Sequence, residues 1–148
     1  MPKKLNLKRK DWVKITIKNL QNRLPIHSSK IINLIHRVIK GEDIKESAWI
    51  NICFVDNPQI KKFNAKFLKT NESTDVLAFN LSDEKKILAD IMISTDTAIK
   101  QARKFKTTPD YELLLYVVHG LLHILGFDDR TKAGISLMRK KESEYVDR

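Results

Sequence analysis

The chain is best understood from residues 119–129, which read HGLLHILGFDD and lie in its most apolar stretch. His119 and His123 are four residues apart, so on a helix both imidazoles project from one face. Gly126 can end that helix in a left-handed turn and bring one of the two following aspartates back toward the histidines. Two imidazoles and a carboxylate, with a fourth position left for water, are how a catalytic zinc ion is usually held. The segment therefore predicts a metal site.

The residues alone leave the third ligand open between Asp128 and Asp129. The alternative to a metal site is a pair of hydrogen-bonded core histidines, but the spacing, the apolar helix, the glycine break and the carboxylates together favour a metal. His27 and His36 lack such neighbours and are predicted to be surface residues. Gly120 stands where a zinc peptidase of the His-Glu-x-x-His kind carries its general base, which argues against a peptidase.

Other carboxylates could orient the ligands or act as a base beside the metal. The candidates are Asp75, Asp90 and Asp128, all near the predicted ends of strands or helices. Carboxylates at such positions more often cap a helix or close a turn than act as a base. No separate general base is assigned from the sequence.

The size and cysteine content indicate one domain that folds without covalent crosslinks. A chain of 148 residues buries enough surface to need neither disulfides nor a structural metal. We predict a single domain over residues 1–148, with residues 1–10 as a basic, frayed arm. The single cysteine excludes an internal disulfide and fits a reducing compartment. Cys53 is predicted to be a small buried hydrophobe.

The charge of the chain favours a polyanionic partner. Lys and Arg number 28 against 18 Asp and Glu, for a net charge of +10. The ribose-phosphate backbone is the commonest polyanion, although a solvated lysine-rich surface is the alternative. No secretion signal is visible, and the longest apolar run, residues 113–125, is too short to span a membrane. We therefore expect a soluble, cytoplasmic protein with no membrane partner.

The hydrophobic periodicity and the capping residues predict the secondary structure. Alternation predicts strands, and 3.6-residue stripes behind capping residues predict helices. The predicted elements are a strand at 13–17, a helix from Ser28 to Gly41, a strand at 49–55, a helix from 56 to about 69, a strand at 75–79, a turn at 82–86, a strand at 87–94, a helix capped by Ser94 or Thr95 through 106, a helix from 108 that carries the histidines, and a last amphipathic helix with Ile135, Leu137, Met138, Tyr145 and Val146 as its apolar residues. This order predicts an α+β domain in which a mixed four-stranded sheet packs against about five helices, with the histidine helix central.

Three blocks in the right order resemble a known family. Residues 119–129 resemble the signature His-Gly-x-Leu-His-x-x-Gly-Tyr-Asp-His of the YbeY family of bacterial zinc-dependent endoribonucleases, also called rRNA maturation factors. Asn64 and the segment STDVLAF at 73–79 are similar to its Leu-Asn…Thr-Asp-Val-Leu-Ser-Phe block. Residues 88–94, LADIMIS, are similar to its Leu-Gly-Asp-Ile-x-Ile-Ser strand. Three ordered blocks are far more specific than a histidine pair.

The resemblance implies one zinc ion per chain, with other divalent metals as alternatives, held by His119, His123 and Asp129. It implies cleavage of single-stranded RNA, in maturation of the 16S rRNA 3′ end and in ribosome quality control. The expected partners are therefore RNA, above all rRNA, and the ribosome or its small subunit. Either water or the ribose 2′-hydroxyl could be the nucleophile.

Besides the smaller change of Ala89 for Gly, two departures from the family pattern bear on the site. Asp129 stands where the pattern has His, and its added negative charge should make the bound ion a weaker acid. Leu68 stands where the pattern has an Arg that could clamp a phosphate. Lys66 or Lys69 could replace it as a point charge and contact the substrate, without the bidentate fork. Leu68 thus favours an alternative, a ribosome-associated RNA-binding protein with a structural metal and little catalysis.

Overall fold

The computed structural model describes residues 12–67 and 75–146. In this part of the chain, four strands and five helices follow the predicted order β-α-β-α-β-β-α-α-α. The α+β fold class is confirmed. The elements are β1 (Val13–Asn19), α1 (Ser28–Gly41), β2 (Ser47–Val55), α2 (Asn57–Phe67), β3 (Val76–Asn80), β4 (Lys86–Ser94), α3 (Thr95–Phe105), α4 (Pro109–Ile124) and α5 (Lys132–Tyr145).

The sheet is mixed, with the strand order β1-β2-β4-β3. β1, β2 and β4 are parallel, and β3 pairs with β4 in the antiparallel direction. β4 lies inside the sheet because the hairpin places β3 at its outer edge. Since side chains alternate between the faces of a strand, the pairing also fixes which residues share a face.

The two faces of the sheet are covered differently. One face packs against α1, α4 and parts of α3 and α5 and forms the main core, with Ile50, Phe54, Ile91 and Ile93 fully buried. The other face is covered in part by α2, whose Ile60 is buried against a smaller apolar cluster. Most of the buried core therefore lies on the face of the sheet that packs against α1 and α4.

The histidine helix is central, as its composition predicts. α4 contacts α1, α3, α5, β3 and β4. Its residues Val117, Val118, Leu121 and Leu122 are fully buried. A helix that is apolar nearly all round can bury its surface only by packing on several sides at once.

The predicted helix caps are correct for α2, where Asp56 Oδ1 accepts from Gln59 N–H, and for α3 and α4, and displaced for α1. The Ser94 hydroxyl accepts a hydrogen bond from Thr97 N–H and caps α3, whereas Thr95 is its first residue. Thr108 caps α4 in the same way, with Pro109 at the first turn. Ser28, predicted as a cap, is instead the first residue of α1, and His27 precedes it without a side-chain capping bond.

Several burial predictions are corrected. Cys53 is half-buried rather than buried, since it lies on the sheet face that α2 leaves partly uncovered. Ile135 and Leu137 of α5 are exposed, because only the stripe that contains Met138 faces the core. His27 is exposed as predicted, whereas His36 is half-buried. The basic arm at 1–10 lies outside the described residues.

None of the helices in the described segments combines the length and apolarity that crossing a membrane requires.

Candidate metal centre

α4 places both histidines on one face at its carboxyl end. The Thr108 side chain accepts a hydrogen bond from Tyr111 N–H, one of the free N–H groups of the first turn, and Pro109 fits that turn. From there the helix continues to Ile124, and most of its residues from Leu113 onward are apolar. The two imidazole rings meet edge to face, with ring centres 4.7 Å apart. The four-residue spacing in the sequence therefore brings the His119 and His123 rings into contact, as predicted.

Gly126 returns the chain toward that pair, as predicted. Its φ of +102° is in the left-handed region, where glycine carries no Cβ penalty. Gly126 N–H donates to the carbonyl of His123 at 3.1 Å, and Phe127 N–H donates to the carbonyl of Leu122 at 2.9 Å. These two bonds form a Schellman motif, which ends the helix and reverses the chain. The following residues therefore pass beside the histidines.

Asp129, rather than Asp128, completes the cluster. His119 Nε2 lies 3.2 Å from His123 Nε2. Asp129 Oδ2 lies 3.7 Å from His119 Nε2 and 3.5 Å from His123 Nε2. We call His119, His123 and Asp129 the metal cluster, because one ligand atom from each lies within 4.8 Å of the others and the group could hold a metal ion.

The distances within the metal cluster fit a small divalent cation. Ligand atoms about 2.0–2.1 Å from a tetrahedral ion are about 3.3–3.4 Å from one another. The three observed separations, 3.2, 3.5 and 3.7 Å, bracket that value. The cluster side chains are between 29% and 43% exposed, so a substrate group could reach an ion held there. The donor set of two nitrogens and one oxygen is typical of catalytic zinc.

Glu142 of α5 contacts the metal cluster and was not among the residues predicted from the sequence. Its Oε1 lies 2.6 Å from His119 Nδ1, and the carboxylate is only 17% exposed. A carboxylate on one ring nitrogen fixes the ring and directs the other nitrogen toward a metal. A signal was present, because Glu142 lies four residues after the buried Met138 and therefore on the core-facing side of α5.

The electrostatics around His119 favour its protonated form when no cation competes. The hydrogen bond with Glu142 raises the pKa of His119 above its usual value, and burial opposes this rise. The negative charges of Glu142, Asp75 and Asp129 raise the pKa further. A cation at Nε2 would take the place of that proton, and the same negative charges would stabilise it.

The other candidate carboxylates are placed apart from the metal cluster or act in turns. Asp128 accepts hydrogen bonds from the backbone N–H and the Nε–H of Arg130, at 2.9 and 2.7 Å. The Arg130 contact lowers the pKa of Asp128 and holds the side chain in the turn. The prediction that Asp90 could lie beside the histidines is wrong. Asp90 alternates with the core residues of β4 and therefore lies on the opposite face of the sheet. Asp75 precedes β3, and its charge reaches His119.

The predicted substrate-binding lysines are only partly covered by the structure. Lys66 is exposed on α2, and Asn64 of the same helix is buried. Lys69 and Leu68 lie outside the described residues. Their predicted roles stay predictions.

The packing of Gly120 explains why a peptidase motif does not fit here. A Cβ on Gly120 would lie 2.9 Å from Ile91 Cγ2 and 3.1 Å from Val76 Cγ1. The helix therefore approaches the sheet more closely than any side chain at this position permits. A glutamate between the two histidines would be driven into the apolar core instead of toward an ion.

Comparisons with known proteins place this chain among named relatives. The sequence profile of the family described as "Endoribonuclease YbeY" matches residues 16–148. A protein named Endoribonuclease YbeY from Syntrophus aciditrophicus is 33% identical over 138 residues, which cover 88% of this chain and 86% of that protein. One of the same name from Christiangramia forsetii is 34% identical over 114 residues, 77% of this chain and 79% of that protein. The solution structure of TM1509 from Thermotoga maritima is similar at a TM-score of 0.59 and 27% identity, covering 90% of this chain and 86% of the other.

Proposed function

Because the chain belongs to the Endoribonuclease YbeY family, we propose that it is a zinc-dependent endoribonuclease that cleaves single-stranded RNA. We further propose that its substrate is rRNA, that it acts in maturation of the 16S rRNA 3′ end and in ribosome quality control, and that it works at the ribosome or its small subunit. The observation that carries the proposal is the convergence of His119, His123 and Asp129 within 4.8 Å.

Each residue of the metal cluster, together with Glu142, has a distinct role in this proposal. His119 Nε2, His123 Nε2 and Asp129 Oδ2 would hold the ion, and Glu142 keeps the His119 ring in the orientation that this requires. When bound, zinc supplies Lewis acidity toward a phosphate oxygen, which favours attack by water or by the ribose 2′-hydroxyl. The Asp75 charge adds to the negative potential that retains a cation.

The alternative of a metal that only braces the fold is less well supported. The main core is formed by α1, α4 and the sheet, and the metal cluster lies at its margin with partly exposed side chains. A bracing metal is usually enclosed by four protein ligands. Removing an ion from such a margin should leave the core packed.

The test is cleavage of an unstructured RNA by the purified chain and by the variants His119→Ala and His123→Ala. We expect each variant to lose activity by at least about a hundredfold, since Lewis-acid stabilisation is worth several kcal/mol. His36→Ala is the matched control, since His36 is also a partly exposed helical histidine, and it should retain full activity. Undiminished cleavage in both cluster variants would overturn the proposal.

Chelation separates the enzyme from the braced RNA-binding protein. Loss of cleavage with little change in melting temperature, restored by zinc, supports catalysis. Unfolding of the wild-type chain on metal removal would favour the bracing role instead.

A further inference from the structure

A cavity of about 360 Å³ lies on the sheet face opposite the metal cluster, where α2 ends its cover. We call it the sheet-face cavity. Its apolar wall comes from Phe63 of α2, Phe79 of β3 and Met92 of β4. Phe63 and Phe79 meet edge to face, with ring centres 5.7 Å apart. The space has the apolar surfaces that a flat aromatic ligand requires.

One edge of the sheet-face cavity is formed by polar side chains that are hydrogen-bonded to one another. The strand pairing places Thr16, Asn51, Asp90 and Phe79 in a single row across all four strands. The Thr16 hydroxyl donates to the Asn51 amide oxygen, and Asn51 Nδ2 donates to Asp90 Oδ1 at 2.8 Å. Asp90 is exposed, and its second carboxylate oxygen can accept a hydrogen bond from a ligand. The row thus presents an acceptor beside an aromatic wall.

The next row on the same face adds a second aromatic surface and positive charge. Trp49 is 40% exposed on β2, and Lys86 Nζ lies 5.0 Å from the centre of its ring. Lys14 of β1 pairs directly with Trp49. Lys18 of β1 pairs with Cys53 on the far side of the polar row, and it also lines the cavity. Trp49 and Asn51 are two residues apart on one strand, so about 6.6 Å separates the two rows.

We propose that this face binds single-stranded RNA, with one unstacked base in the sheet-face cavity and a neighbouring base on Trp49. Aromatic side chains on an open sheet, flanked by lysines, bind single strands by stacking and by backbone charge. A protein partner fits less well, because three lysines against one aspartate complement a polyanion. The carboxylate of Asp90 favours a base with an exocyclic amino group, such as cytosine or adenine, over uracil, which has none. The choice of ligand rests on the proposed function.

The test uses the full-length chain and fluorescein-labelled 2′-O-methyl decamers of C and of U, with binding followed by anisotropy. We expect Trp49→Thr to weaken binding of both oligonucleotides by at least about fivefold, because a stacked base is lost. Threonine is a good strand residue, so the sheet should be retained. Asp90→Asn should reduce the preference for oligo(C) over oligo(U), since an amide can donate to uracil where a carboxylate cannot.

A matched control is available on α3. Phe105 is another exposed aromatic residue, with Lys104 Nζ 5.4 Å from its ring centre, but it lies on a helix away from the sheet-face cavity. Phe105→Ala should leave binding unchanged. Cys53, the single cysteine of the chain, lines the cavity, so saturating oligo(C) should slow its alkylation several-fold in the wild-type chain. This second measurement does not depend on any variant folding.

The outcomes separate this inference from the proposed function. His123→Ala should bind the decamers as the wild type does while failing to cleave RNA. If it still cleaves, the proposed function fails and the binding face stands. If Trp49→Thr and Asp90→Asn both bind within twofold of the wild type and Cys53 is not protected, the binding face is overturned. A dimer that Trp49→Thr dissociates, with RNA binding unchanged, would overturn it too and assign the face to a second copy.

Discussion

The metal cluster and the sheet-face cavity lie on opposite sides of one sheet and are built in opposite ways. The metal cluster takes its three residues from one helix and the turn after it, and its atoms are held within 4.8 Å. The sheet-face cavity takes its residues from four strands and α2, and it offers rings and a polar row around about 360 Å³. A helix end concentrates charge and ligands at a point, whereas a sheet spreads contacts over several nucleotides. If both proposals hold, RNA cleavage and RNA binding take place on opposite sides of the sheet.

Ile91 connects the two regions. It faces Gly120 of α4 on the core side, while its neighbours Asp90 and Met92 face the sheet-face cavity. A change that lifts α4 from the sheet should therefore disturb both regions at once. Gly120 is therefore the position at which a substitution should most strongly affect both the metal cluster and the sheet-face cavity.

The largest effect is predicted for Gly120. Gly120→Ala should reduce the free energy of unfolding by about 1–3 kcal/mol, because its Cβ would lie 2.9 Å from the buried Ile91. Gly120→Glu should cost more than about 3 kcal/mol, since it also buries a charge without a partner. Urea denaturation followed by circular dichroism measures both.

Gly126→Ala provides the contrast for that experiment. Nothing lies within 4 Å of a Cβ on Gly126, so only its positive φ opposes the substitution, at about 1–2 kcal/mol. Equal stability of Gly120→Ala and the wild type would show that α4 can move away from the sheet without loss. The two regions would then be less tightly connected than the packing indicates.

The second effect concerns the neighbouring aspartates. Asp129→Ala should weaken zinc affinity by at least about tenfold, because it removes one of three ligands. Asp128→Ala is the matched control and should leave the affinity unchanged, since that carboxylate is held by Arg130. Competition with a chromophoric chelator gives both affinities. The reverse ranking would mean that the turn rearranges around the ion and that Asp128 is the ligand.

The difference between the two regions also explains what the sequence could predict. His119, His123 and the return at Gly126 are local features, so helix geometry and turn chemistry are enough to bring them together. The order of elements was predictable for the same reason, because caps and periodicity are local signals. The choice between Asp128 and Asp129 needed the family resemblance, since both follow the same turn.

Features that depend on strand pairing have no local signal in the sequence. Asp90 was grouped with the histidines as a candidate partner, although alternation on β4 directs it to the other face. The row of Thr16, Asn51 and Asp90 exists only because β4 lies beside β2, and no local pattern gives that strand order. Glu142 was missed because the packing of α5 against α4 is a tertiary contact.

The smallest of the three effects is predicted for Glu142, and its pH dependence sharpens the account of the metal cluster. Glu142→Gln should weaken zinc affinity by about tenfold near pH 8, because His119 loses the carboxylate that orients it and increases its basicity. The same carboxylate raises the pKa of His119, so in the wild type protons compete with zinc up to a higher pH. As the pH falls toward 6, the wild-type affinity should therefore drop faster than that of the variant, and the deficit should narrow. Glu144→Gln, on the exposed side of α5, should match the wild type at both pH values. A deficit of the same size at pH 6 and pH 8 would mean that Glu142 only supports the packing of α5, without acting on the His119 ring.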